Sequence, residues 1–182
     1  MGFPWCRADL ASDHPPAGQG AQVALCCSVD RLGRPRYDKS MRVFISHASR
    51  DRDLAVQLAA SLSAMGFSVW NPEEDVVPGD NPANVRGKAL DESDLFVALI
   101  TRGALDESEL LRGEIQYALT SERFERRLIP VLVDFVTFQA GKDVPWILLK
   151  LNPVYVLRPY DEFAEVIDRV RIVAEQQINA AH

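Results

Sequence analysis

The sequence predicts an α/β fold of the flavodoxin-like class, a three-layer sandwich with helices on both faces of a five-stranded parallel sheet of order 2-1-3-4-5. Short apolar runs alternate with segments of helical periodicity from residue 41 onward, as in a parallel α/β sheet. The run Leu95–Ile100 is apolar throughout, which is typical of a central parallel strand covered on both faces. Ligands of such sheets bind outside the carboxyl ends of the strands, and the switch point of this order lies between strands 1 and 3.

The first two predicted strands flank one amphipathic helix. Residues 43–45 form a short apolar run that predicts strand 1, and residues 67–70 predict strand 2. Between them, residues 52–65 place leucines and a methionine at helical spacing, so we expect a helix there. Asp51 is a suitable N-cap for this helix, and Gly66 is a suitable stop at its C-terminus.

The middle of the chain predicts a long loop, a helix, the third strand and a further helix. Residues 71–81 contain two prolines and a glycine, which predicts an irregular acidic loop. A helix follows over 82–92, with Pro82 in its first turn. Strand 3 covers residues 95–100, and one continuous helix is expected over 106–122.

The last third of the chain predicts two more strands and a closing helix. Strand 4 falls within 127–133, and its Pro130 favours a strand start near 129–131, because proline cannot donate to a ladder. Residues 153–157 predict strand 5. Asp161 is the expected N-cap of a helix that extends to about residue 178. The apolar face of this helix is expected to carry Phe163, Val166, Ile167, Val170 and Val173.

The domain is expected to span residues 41–178, with residues 1–40 as a disordered extension. The chain has 182 residues, enough for one domain and a tail. Residues 1–40 contain all three cysteines and Pro15-Pro16 without any sustained period, and their composition is typical of disorder rather than of a signal peptide. Met41 directly precedes strand 1, which suggests the hypothesis that translation starts there.

Composition argues against several classes of partner. Five of the 20 basic and four of the 26 acidic residues lie in 1–40, so residues 41–182 carry a net charge of −7 and are poor partners for a phosphate backbone. No apolar run approaches the roughly 20 residues that span a bilayer. The cysteine-free domain fits a reducing, cytoplasmic compartment. Cys26-Cys27 has no ligands at zinc spacing, and the acidic loop lacks the alternation of a calcium site, so no metal is predicted.

Two other functional classes that use such a sheet fail at the residues that carry their chemistry. A dinucleotide-binding Rossmann domain needs glycines after strand 1, but residues 46–51 contain none. A phospho-receiver domain needs acidic residues at the ends of strands 1 and 3. Those ends read Ser46-His47 and Ile100-Thr101.

Residues 41–175 instead resemble the Toll/interleukin-1 receptor (TIR) domain family, in its bacterial-type, NAD-cleaving branch. The motifs occur in the family's order and at similar spacing, from the first strand to the fourth. They are Val43-Phe44-Ile45-Ser46-His47, Gly66-Phe67-Ser68-Val69-Trp70, Asp75 with Pro78-Gly79, Ser93-Asp94-Leu95-Phe96-Val97, Glu114-Ile115 with Ala118-Leu119, and Ile129-Pro130-Val131.

The resemblance implies an NAD⁺ nucleosidase that hydrolyses or cyclises NAD⁺ at the nicotinamide–ribose bond, with NAD⁺ as substrate and no cofactor. The pyridinium nitrogen leaves as a neutral base, so the reaction does not need the acid of a two-carboxylate glycosidase. One carboxylate can stabilise the positive charge that develops on the ribose. The family uses a glutamate on the helix after strand 3, and Glu114 occupies the matching position.

The helical period gives Glu114 some independent support. Leu110, Glu114 and Ala118 stack along one side of the predicted helix, beside Leu111 and Ile115. A carboxylate on an apolar face is costly unless it borders a cleft or has a partner. The alternative is a glutamate at the edge of the apolar stripe that pairs with a surface arginine.

Five further residues are candidate substrate contacts. Ser46, His47 and Ser49 follow strand 1, where they can hydrogen-bond ribose or phosphate. Arg50 can steer a pyrophosphate or remain solvated. Trp70 can stack on a base, although an aromatic residue that ends a strand is commonly part of the core.

The resemblance also implies self-association with other TIR domains, through a loop shaped by Asp75, Pro78 and Gly79. NAD-cleaving relatives often carry an aromatic residue where this chain has Leu110, so slow or conditional turnover is expected. The alternative function is a non-enzymatic interaction module, and a nucleotide-binding sensor is a third. The family's bacterial members suggest antiviral defence or host interference.

Overall fold

A computed structural model describes residues 41–70, 78–79, 81–134, 143–157 and 163–180, with side chains up to residue 177. The predicted extension over 1–40 lies outside the described residues. So do Asp75 and Asp161, which the sequence assigned to the assembly loop and to a helix cap.

Five parallel strands form one sheet in the order β2-β1-β3-β4-β5, which confirms the predicted fold. Val43 of β1 lies opposite Val69 of β2 on one side and Leu95 of β3 on the other. The strands are β1 Arg42–Ser46, β2 Ser68–Trp70, β3 Leu95–Ile100, β4 Leu128–Val133 and β5 Val154–Val156.

Helices connect the strands and cover both faces of the sheet. Short 3₁₀ turns at Ser49–Asp51 and Glu122–Phe124 precede α1 and β4. The α-helices are α1 Arg52–Ala64, α2 Pro82–Glu92, α3 Ala104–Glu107, α4 Glu109–Thr120, α5 Trp146–Leu149 and α6 Ala164–Ala180. None of the described helices is long and apolar enough to span a membrane.

The prediction of one helix over 106–122 is wrong, because Ser108 divides it into α3 and α4. Ser108 has extended backbone dihedrals, and its hydroxyl accepts a hydrogen bond from the Leu111 N–H at 3.2 Å. Such a side chain satisfies one of the free N–H groups at a helix start. A capping serine therefore ends the short helix α3 and begins α4 at Glu109.

The two residues predicted to begin and to end α1 have different outcomes. Gly66 ends α1 with φ of +98°, as predicted for a left-handed stop. Asp51 occupies the N-cap position of α1, but its side chain makes no capping hydrogen bond. Its carboxylate instead accepts from the Thr101 hydroxyl, at the end of β3.

Pro130 lies inside β4, and the strand begins at Leu128 rather than near 129–131. Pro130 lies opposite Ala98 of β3, while the pairing with β5 begins only at Val131. The Arg127 carbonyl faces β3, where it accepts from the Phe96 N–H. Because N–H and C=O groups of successive residues alternate sides along a strand, the nitrogen of Pro130 faces β5, before that ladder starts.

The core has two layers, one on each face of the sheet. Val43 and Ile45 point toward α1 and α6, whereas Phe44 points toward the layer that includes α2 and α4. Side chains alternate between faces along a strand, so Ser46 shares the face of Phe44. The last residue of β1 is therefore a buried hydroxyl directed toward α4.

Candidate functional site

Glu114 is buried at the carboxyl edge of the sheet, with only 4% of its surface exposed. It lies on the inner side of α4 with Leu111, Ile115 and Ala118, which are buried. The structure therefore places Glu114 on the apolar face, as the helical period predicted. Leu110 does not belong to that face, because it is 51% exposed.

The hydroxyl of Ser46 donates a hydrogen bond to Oε2 of Glu114. Both side chains are buried, and 68 residues separate them in sequence. The alternation of β1 brings the hydroxyl to this face, and the register of α4 brings the carboxylate to meet it. The structure thus joins two residues that the sequence had proposed separately, one as a substrate contact and one as the catalytic group.

Arg86 is the site residue that the sequence analysis missed. Its Nη1 donates to Oε1 of Glu114 at 2.8 Å, and its side chain is 20% exposed. Arg86 precedes the buried Ala89 and Leu90 by three and four residues on α2, a spacing that places it beside their face. That spacing was a usable signal, although it does not identify the partner. Both oxygens of Glu114 have protein partners in this structure.

Trp70 ends β2 and stacks on the core. Its ring lies 4.8 Å from that of Phe44, with 7° between the planes. The Cζ atom of Arg86 lies 5.4 Å from the Trp70 ring centroid, within the range of a cation–π contact. Trp70 therefore packs against the core, which was one of the two roles that the sequence left open. Its other neighbour is the guanidinium that pairs with Glu114.

His47 follows β1 and is partly buried. Its Nδ1 lies 3.5 Å from the Ile45 carbonyl oxygen, at the limit of a hydrogen bond. Burial lowers the pKa of His47 from its usual 6.5, and the positive charge of Arg86 lowers it further. The bond to Ile45 and the charges of Glu114 and Asp51 oppose this shift without cancelling it. The neutral imidazole is therefore favoured in the folded protein.

This lowered pKa predicts a pH-dependent stability. A histidine whose folded pKa lies below its unfolded value contributes stability above that unfolded value and loses it as pH falls through the folded pKa. We expect the free energy of unfolding to decrease as pH is lowered below 6.5, and His47→Asn to reduce this decrease. Urea unfolding at a series of pH values measures the difference. Identical pH profiles for the two proteins would contradict the assignment.

A second polar cluster joins the loops after β1 and β3, and we call it the switch-point cluster. Arg50 donates to both carboxylate oxygens of Glu107 at 2.7 Å and to the Arg102 carbonyl oxygen. It also donates to the Thr101 hydroxyl at 3.1 Å, which itself donates to Asp51 at 2.7 Å. Burial raises the pKa of the Asp51 carboxyl, although the Thr101 hydrogen bond opposes this.

The switch-point cluster bears on two of the predicted substrate contacts. Arg50 is committed to Glu107 and to the loop after β3, so a pyrophosphate would have to displace a bidentate carboxylate to reach it. Ser49 begins the 3₁₀ turn and is exposed. Ser49 and Arg50 remain predictions as substrate contacts.

The predicted assembly loop is described only in part. Pro78 and Gly79 lie in an exposed turn, and Gly79 has φ of +104°, with no atom of the described residues within 4 Å of the place where a Cβ would stand. This conformation favours glycine. The turn is therefore exposed among the residues that the structure describes, and its role in assembly stays a prediction.

Cavities and metal ligands add little at Glu114 itself. A cavity of about 280 Å³ lies between β2 and α2. Besides Trp70 and Val85 it borders Arg42, Ser68 and Ser93 near the amino ends of the strands, and neither Glu114 nor Arg86 lines it. Within the described ranges, no three His, Cys, Asp or Glu side chains come together as a metal site.

The sequence model of the TIR domain family matches residues 43–167. A metazoan TIR-STING receptor from C. gigas, solved in complex with 2',3'-cGAMP, is 24% identical with a TM-score of 0.59. The match covers 70% of this chain and 38% of that one, so this chain spans well under half of the receptor's length. The TIR domain of the Toll-related receptor TRR-2 from Hydra magnipapillata is 18% identical with a TM-score of 0.51, over 76% and 95% of the two chains. No curated protein matches the sequence.

The fold and the buried carboxylate at its carboxyl edge define a flavodoxin-like α/β protein with a polar site beside β1. The match over residues 43–167 shows that the chain belongs to the TIR domain family. The family prediction is confirmed, and the two solved structures support the fold.

Proposed function

We propose that this protein is a TIR-domain NAD⁺ nucleosidase that hydrolyses or cyclises NAD⁺ at the nicotinamide–ribose bond. Glu114 is the catalytic carboxylate in this proposal. The observation that supports it most is a nearly fully buried glutamate at the carboxyl edge of β1, where sheets of this kind bind ligands.

The contacts of Glu114 suit the proposed reaction. Positive charge develops on the ribose as the nicotinamide leaves, and a carboxylate held in a site with little water stabilises that charge strongly. Ser46 donates to one carboxylate oxygen and thereby fixes its orientation. The other oxygen faces Arg86, so the guanidinium has to move before this oxygen can face a sugar.

Self-association with other TIR domains is part of the proposal. The exposed turn at Pro78 and Gly79 is available for such a contact, and the sequence resemblance suggests that assembly raises activity. We also propose that the reaction serves signalling or antiviral defence in the cytoplasm.

The test is cleavage of a fluorescent NAD⁺ analogue by the full chain, both in dilute solution and on a clustering support. Glu114→Gln keeps the size of the side chain and its bond to Ser46 but removes the negative charge. We expect it to lower cleavage at least about 100-fold, the effect of losing one such electrostatic contact to a transition state.

Glu109→Gln on the same helix is the matched control, because its side chain is 93% exposed and pairs only loosely with Arg112 at 3.8 Å. It should leave cleavage unchanged. Circular dichroism verifies folding of both variants. Full activity in a folded Glu114→Gln protein would remove the site assignment. Absence of cleavage in the wild-type chain, even when clustered, would favour the non-enzymatic interaction module.

A further inference from the structure

The guanidinium of Arg86 lies between an anion and an aromatic ring. Its Nη1 is 2.8 Å from Oε1 of Glu114, and its Cζ is 5.4 Å from the Trp70 ring centroid. Ser46 holds the second oxygen of Glu114, and Phe44 stacks on Trp70. The core thus fixes the two groups that contact the guanidinium. The guanidinium itself stands at the end of the long Arg86 side chain, which is 20% exposed.

A carboxylate beside an indole face is a general recognition site for organic cations. The ring quadrupole attracts a cation placed over it, and the attraction is larger where water is excluded. A neighbouring carboxylate adds a charge-assisted contact. Arg86 satisfies these groups internally in the free protein, because a buried carboxylate without a partner is costly.

We propose that Trp70 and Glu114 form a subsite for a planar organic cation, which Arg86 occupies until the ligand displaces it. We call this pair the cation subsite. This inference rests on the proposed function, since it places the pyridinium ring of NAD⁺ in the cation subsite. The guanidinium and the pyridinium are both flat and carry one positive charge, so each can lie against the indole with its charge beside Glu114.

Displacement of Arg86 makes the cation subsite selective for charge. A neutral ring of the same shape gains no attraction from Glu114 and leaves the carboxylate with no cation when Arg86 moves away. A cationic ring supplies Glu114 with a positive charge in place of the guanidinium that it displaces. The site therefore distinguishes an oxidised nicotinamide, which is a pyridinium, from a reduced or free nicotinamide, which is neutral.

The experiment compares 1-methylnicotinamide, which is methylated on the ring nitrogen and is therefore a pyridinium cation, with neutral nicotinamide as ligands of the full chain. Ligand-observed NMR gives both dissociation constants without any turnover. Arg86→Gln removes the internal cation and keeps a donor for Glu114. We expect this variant to bind the cation at least tenfold more tightly than the wild-type chain does. Its affinity for nicotinamide should change less than twofold.

Two further variants make the outcome decisive. Adding Glu114→Gln to Arg86→Gln should abolish the preference for the cation, and adding Trp70→Leu should lower the cation affinity at least fivefold. If Arg86→Gln does not fold, Arg86→Lys keeps a charge but not the planar fork, and it should bind the cation about threefold more tightly than wild type. Equal affinities for the two compounds in a folded Arg86 variant would overturn the inference. Cation binding without cleavage of NAD⁺ would uphold the subsite and reject the nucleosidase.

Discussion

Arg86→Met is expected to lower the free energy of unfolding by about 3 kcal/mol. Removing one partner of a buried ion pair typically costs 3–5 kcal/mol, because the other charge stays buried without compensation. Glu114 is almost fully buried, but Arg86 retains some contact with water, so the lower end of this range applies. Urea unfolding with an unchanged m-value measures the loss as a shift of the midpoint.

A double-mutant cycle separates the ion pair from the packing of the side chain. Glu114→Gln added to Arg86→Met should restore part of the lost stability, because no buried charge then remains without a partner. Arg86→Lys, which keeps the cation, should cost less than Arg86→Met does. A change below about 0.5 kcal/mol in Arg86→Met, the size typical of an ordinary surface substitution, would show that the pair does not form in solution.

Phe44→Ala is expected to cost about 4 kcal/mol, within the range measured when a buried phenylalanine is truncated. Phe44 has no exposed surface. Its ring stacks with Trp70 at 4.8 Å and with Phe96 at 5.6 Å, and such pairs add to the energy of burial. Truncation leaves a cavity in the core layer that supports the site.

The consequence for the site is measurable together with stability. Near-ultraviolet circular dichroism should lose signal from Trp70, because the ring that packs against its indole is gone. Phe44→Leu fills most of the cavity but cannot stack, and it should cost only about 1–2 kcal/mol. A loss below 1 kcal/mol in Phe44→Ala would contradict the packing that the structure shows.

Most of the fold was predictable because its strands are short, apolar and regularly separated. The third strand and the helix that begins at Pro82 have the predicted bounds. The errors occurred where a local interaction competes with periodicity. Ser108 lies within a helical pattern, but its hydroxyl bonds the backbone and divides the helix. Pro130 was expected to delay the start of β4. Its nitrogen faces β5 instead, one residue before the pairing of β4 with β5 begins, so no ladder hydrogen bond is lost.

The candidate site was predictable only for residues that lie on a single element. The helical period was enough to place Glu114 on the buried face, and the position of Ser46 at the end of strand 1 was enough to propose it as a contact at the carboxyl edge. Arg86 is 28 residues before its partner, on another helix, and nothing in local spacing connects the two. The bond between Arg50 and Glu107 likewise depends on how two loops meet at the sheet edge.

The Arg50–Glu107 bridge connects the loop after β1 to the loop after β3. The hydroxyl of Thr101 and the carboxylate of Asp51 add a second connection between the same loops. In the part of the chain that the structure describes, this bridge crosses the switch point of the sheet, so a ligand that entered between the two loops would first have to break it.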